Sequence, residues 1–326
     1  MALTTAFTRR LGITHPVAQA PMGESAGGAL AAAVSRAGGL GLVGGGRGNR
    51  EWLTRELDLV RRGTDAPWGV GLLAWAAEVT ALEHALTFDP AAVMLSFGDP
   101  RPFLPALRRS DAVLVLQCVD LDEAKQALDL GADVVVAQGS ESGGHGARRG
   151  RSLLSLLPLV VDEAGSVPVL AAGGINDGRG IAAALALGAA GVLLGSRFQA
   201  TPEALVEHRV QAAILAGAGA GTERSSVHDI VRDSGWPRRY TGRTLTDRFV
   251  AQWRDREDEL AASVEAKQAY RDAVSRGELP SSPVWVNESV DLIRDIRPAG
   301  EVVSSVVAET RQALAGLSLV DEAGAG

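Results

Sequence analysis

Between residues 16 and 195, eight short apolar runs each close on glycine or a polar turn and hand over to a stretch with helical spacing. The runs are 16–20, 39–43, 68–73, 92–97, 112–119, 132–138, 167–172 and 190–195, rich in Val, Leu and Ala. Helical periodicity marks the segments between them, among them 27–36, 51–62, 121–130 and 178–187. Continuous apolar strands alternating with helices predict a parallel sheet covered on both faces. Eight such units match a (β/α)8 TIM barrel better than an open doubly wound sheet. The rival Rossmann-like sheet should carry G-x-G-x-x-G at its first turn. Gly38-Gly39-Leu40-Gly41 and Gly44-Gly45-Gly46 are glycine-rich without that spacing.

The beat stops after residue 205. Residues 1–205 and 298–318 read as the barrel, with an amphipathic helix over 299–315 returning to it, and 319–326 as a C-terminal tail. Residues 206–297 are more charged, show helical periodicity over 244–270, and are punctuated by Pro237, Pro280 and Pro283. They read as a mainly helical insertion on the substrate side. The formal charge of −7 and pI of 5.4 argue against a nucleic-acid partner held through its phosphates. No apolar segment of membrane-spanning length is uninterrupted by Gly or charge, and no signal-length apolar run precedes the first arginines, so a cytoplasmic protein is expected. The single cysteine, Cys118, can form no internal disulfide. A homo-oligomer is compatible with the sequence.

In a barrel the βα-loops converge at the carboxyl ends of the strands, so chemistry is expected there. The first run ends in Met22-Gly23 after Gln19-Ala20-Pro21, the fourth in Ser96-Phe97-Gly98, and the fifth in Gln117-Cys118-Val119. Each could meet a flat ligand or simply satisfy a turn. The seventh runs into Gly173-Gly174, with Gly178 opening a helix nearby, and the eighth into Gly195-Ser196-Arg197. Glycine-rich loops after these two strands form the usual barrel phosphate site, through free backbone N–H groups. The sixth run ends in QGSESGGHG, residues 138–146, which holds His145. This is the only one of the five histidines in a glycine-rich loop at the catalytic rim, and an imidazole there can exchange a proton at neutral pH. No metal-ligand spacing surrounds it. These patterns imply a phosphate-bearing small molecule, which a bound flavin or a sugar-phosphate substrate would satisfy equally. A Schiff-base enzyme is disfavoured, because Lys125 is the one lysine of the barrel part and lies in a helix.

Taken in order, AQAPMG, AAAVSRAGGLGLVGGG, QGSESGGHG and AAGGINDGRGIAAALALGAAGVLLGSRFQAT resemble the nitronate monooxygenase family (2-nitropropane dioxygenases). These are FMN-dependent barrels that include an enoyl-ACP reductase branch. Ser142 stands where the family loop usually has alanine, a small-for-small change. The resemblance implies FMN across the barrel mouth, its phosphate on Gly173, Gly174, Gly195 and Ser196, and its ring approached by Met22, Ser96, Gln117, Gln138 and Gly143. It implies His145 as catalytic residue, acting as base on a nitroalkane or as hydrogen-bond partner of a nitronate. O2 is then the second substrate, and a carbonyl compound and nitrite the products. An NAD(P)H-dependent reductase on the same flavin, and a non-catalytic flavin protein, stay open beside it. Trp236, Tyr240, Trp253 and Trp285 either line a pocket or pack helices, with Trp236-Pro237-Arg238-Arg239 best placed to approach the site.

Overall fold

Eight strands form where the apolar runs lie, and eleven in all are present among the residues described, 3–279 and 282–317, of this computed structural model. They are β1 (Val17–Gln19), β2 (Gly41–Gly46), β3 (Trp68–Leu73), β4 (Ala92–Ser96), β5 (Val113–Cys118), β6 (Val134–Gln138), β7 (Gly144–Ala147), β8 (Val169–Ala172), β9 (Gly191–Leu194), β10 (Thr222–Ser225) and β11 (Tyr240–Leu245). Eight of them make one parallel sheet in the order β1-β9-β8-β6-β5-β4-β3-β2. The two edges meet: Leu40 N–H donates to Val17 O and Gln19 N–H to Leu40 O, both at 2.9 Å. The buried Gln19 carboxamide exchanges two further bonds with the backbone of Leu42, at 3.2 Å each. The result is the TIM barrel expected from the eightfold beat.

Strand side chains alternate between two faces, and the core divides accordingly. Ala92, Met94, Val113, Val115, Val134, Val136, Leu170 and Leu193 belong to one cluster inside the barrel. Val93, Leu95, Leu114, Leu116, Val135, Val169, Val192 and Leu194 belong to the outer layer beneath the helices. The short helix Ala6–Leu11, capped by Thr5, drives Phe7 and Leu11 into the inner cluster. That plug fills the amino-terminal end, so only the carboxyl-terminal end can hold a ligand. The helix Ala299–Leu317 returns to pack against the helices Gly28–Arg36 and Gly178–Ala186.

A second sheet sits over the open end. It is antiparallel, β10-β11-β7, and joins the loop after β6 to residues of the insertion. His145, expected in a loop, lies in β7, opposite Gly242 of β11. GHGA has no Val, Ile, Thr, Phe, Tyr or Trp and its partner strand begins at Tyr240, so nothing local announces it. The helical periodicity over 244–270 resolves into three helices, Arg248–Trp253, Glu257–Ala262 and Val264–Ser275, after Thr244 and Leu245 have closed β11. Asp247 and Ser263 accept N-terminal N–H bonds of the first and third and set their starts. No helix among the described residues is long and apolar enough to cross a membrane. Pro280 and the tail 319–326 lie outside the described residues.

Candidate active site

The carboxyl ends of the barrel strands surround a cavity of about 1340 Å³. That exceeds the roughly 300–1,000 Å³ usual for one small ligand, which leaves room for a cofactor and a substrate together. Met22, Ser96, Gln117, Gln138, Gly143, His145, Gly173, Gly195 and Ser196 all line it. Gly174 does not; its carbonyl accepts from Ser289 Oγ at 2.6 Å, and a side chain there would meet Glu141.

The segment 138–147 is held from behind. Gln117 Nε2 donates to Gln138 Oε1 at 2.9 Å, and Gln138 Nε2 donates to the carbonyl of His145 at 3.0 Å. A carboxamide relay thus ties β5 and β6 to β7. Beneath the turn, Arg224 of β10 donates to the carbonyls of Ser142 (2.6 Å), Ser140 (3.2 Å) and Thr241 (2.5 Å). Burial and the nearby Arg243 push the Arg224 guanidinium down to about 10, since neither favours its charged form there. Glu141 turns away from the cavity and accepts the Leu153 N–H at 2.9 Å, capping the helix Leu153–Ala164. The protein itself accounts for the glycines of this loop. A Cβ on Gly143 would lie 2.5 Å from the Val286 backbone, one on Gly139 2.5 Å from Leu153 N, and Gly144 has φ +66°.

His145 is gripped by the insertion. Its Nε2 lies 3.0 Å from both carboxylate oxygens of Asp229, in the helix Val227–Val231. Ser234 Oγ donates to Asp229 Oδ1 at 2.9 Å. Trp236 stacks on the imidazole with ring centres 3.6 Å apart and planes 6° from parallel, and Trp285 lies 5.1 Å away. Trp236 also meets Trp75 and Phe97, and Phe97 has φ +57°, a strained conformation for an aromatic residue. The approach of Trp236 was expected from the sequence. Asp229 was not: it lies 84 residues from His145, in a helix with no motif around it. Tyr240 is buried and donates to Glu123 Oε1 at 3.1 Å, while Trp253 packs on Phe249.

The anion corner differs in one respect from the expectation. The helix Gly178–Ala186 offers no free amino terminus, because Gly178 N–H donates to Glu309 and the Arg179 and Gly180 N–H groups donate to Asp177. The N–H groups of Gly173, Gly174, Gly195 and Ser196, by contrast, find no acceptor among the described residues. Gly195 has free space where a Cβ would stand, its nearest neighbour being Met22 Sδ at 3.7 Å. The N–H groups of Gly173, Gly195 and Ser196, which line the cavity, form an anion cradle at its rim.

Comparison with known proteins follows the same lines. A family model described as nitronate monooxygenase matches residues 4–309. A nitronate monooxygenase of Neurospora crassa is 34% identical, over 91% of this chain and 89% of the relative. Among solved structures, FabK from Thermotoga maritima superposes with a TM-score of 0.84 at 29% identity, covering 97% of this chain and 99% of that one. A nitroalkane oxidase from Streptomyces ansochromogenes gives 0.79 at 28% identity, covering 96% and 100%.

Proposed function

Because the chain belongs to the nitronate monooxygenase family, a family of flavin-dependent oxidoreductases, we propose that it is an FMN-dependent enzyme converting alkyl nitronates or nitroalkanes and O2 into carbonyl compounds and nitrite. The observation that carries this reading is the coexistence, in one cavity, of an anion cradle and a clamped imidazole. FMN fits the residues present. Its phosphate would take the N–H groups of Gly173, Gly195 and Ser196, and its polar ring edge the carboxamides of Gln117 and Gln138, with Met22, Ser96 and Gly143 against the ring. When bound, flavin supplies the two-electron chemistry between the substrate and O2. The chain's own residues orient the nitro compound beside His145 and wall it from bulk water with Phe97 and Trp236.

A second reading has its own support: the superposition on FabK is the stronger of the two. In that reading NAD(P)H is the reductant and the substrate an enoyl or quinone acceptor. An anaerobic titration separates them. The purified protein is expected to be yellow and to bleach on addition of a nitronate without NAD(P)H. Rapid bleaching by NADH, with none by nitronate, would establish the reductase instead, and a folded protein that takes up no FMN would remove both.

A further inference from the structure

His145 offers a single nitrogen for chemistry. An ionised carboxylate only accepts hydrogen bonds, so the contact of Nε2 with both oxygens of Asp229 at 3.0 Å keeps a proton on Nε2. The neutral ring is then the Nε2–H tautomer, with its basic lone pair on Nδ1. Nδ1 has no protein partner among the described residues and, unlike Nδ1 of His15 and His228, it is not sealed from solvent. The Asp229 side chain is 10% exposed and that of His145 13%, so water competes little for their contact. Ser234 Oγ holds the carboxylate from one side, and Trp236 and Trp285 restrict rotation of the ring.

We propose that Asp229 is the positioning residue of this site: by taking the Nε2–H of His145 it fixes the tautomer in which Nδ1 removes the α-proton of a neutral carbon acid. The proposal rests on the reading that the site handles nitroalkanes and nitronates. In the step, the α C–H bond breaks and its electron pair stays on carbon, spreading onto the nitro oxygens to give the nitronate. The proton forms the Nδ1–H bond, and the positive charge gained by the ring is met by the Asp229 carboxylate. No oxidant enters at this stage. A preformed nitronate has already lost that proton and does not need the step.

Two measurements on the flavin-loaded protein test this. With 15N-histidine labelling, and His145 assigned by a His145→Gln variant, NMR couplings are expected to show the Nε2–H tautomer in the wild type and a loss of that preference in Asp229→Asn. The Nδ1–H tautomer in the wild type would overturn the proposal. In turnover, Asp229→Asn is expected to lower kcat on a neutral nitroalkane by roughly 10²-fold or more, the scale of general-base catalysis. KM should hardly move, most activity on the preformed nitronate should survive, and Asp229→Glu should recover part of the loss. An equal loss on both substrates would overturn the proton-transfer role. The tautomer measurement needs no substrate, so absence of turnover on either compound would count against the proposed function while leaving the Asp229 contact tested.

Discussion

His228 stands next to Asp229 in sequence, yet burial gives it an opposite character. Desolvation pushes its imidazole below the ordinary value near 6.5, with Arg232 acting the same way and Asp247 and Asp229 opposing. The ring is therefore neutral at neutral pH, and its 3.7 Å approach to Asp247 becomes an ion pair only on protonation. The sign of the linkage follows. The unfolded chain binds this proton more readily than the folded one, so stability rises with pH across the window. It is fully present above the unfolded value and is lost as pH falls through the lower folded one. Thermal melts between roughly pH 7 and 5 should show a steeper acid loss of Tm in the wild type than in His228→Gln. Parallel curves would mean that His228 carries no such linkage.

Gly41 and Gly195 lie at opposite ends of barrel strands and are glycines for different reasons. At Gly41 a Cβ would overlap the backbone of Ala31, where the helix Gly28–Arg36 rides on β2. Backbone cannot rotate aside, so Gly41→Ala is expected to cost about 1–3 kcal/mol in urea unfolding, the usual penalty of overpacking. At Gly195 the added methyl meets nothing closer than 3.7 Å. Gly195→Ala should keep its stability within about 0.5 kcal/mol and lose FMN affinity, which a fluorescence titration would read. This contrast also bears on what the sequence disclosed. The barrel strands were legible because strands buried on both faces spell continuous runs of Val, Leu and Ala, and the pocket-lining residues were legible because they sit where those runs end. β7 was not, since its pairing with β11 is long-range and its residues are glycine, histidine and alanine. Arg224 and Asp229 were missed for the same reason: each is an ordinary charged residue until the insertion brings it against the loop it serves. At the helix Gly178–Ala186 the N-cap Asp177 is local, but the acceptor that takes the Gly178 N–H, Glu309, arrives from the far end of the chain.

Across the whole molecule, Cys118 reports on the barrel. It is fully buried at the end of β5, its Sγ lies 3.4 Å from Val136 O, and burial raises its thiol far above the ordinary range. The native protein should leave this thiol unreactive toward an aromatic disulfide reagent. Labelling should appear with the denaturant midpoint seen by circular dichroism, and labelling well below it would reveal local opening of β5. The second sheet carries a different consequence, one of timing. Ribosomes deliver residues in order, and all eight barrel strands have been synthesised once Leu194 is made. His145 has no strand partner until Gly242 follows, and no carboxylate until Asp229 does. The barrel strands are thus complete in the nascent chain before the reactive edge, whose partners come only with the last third of translation.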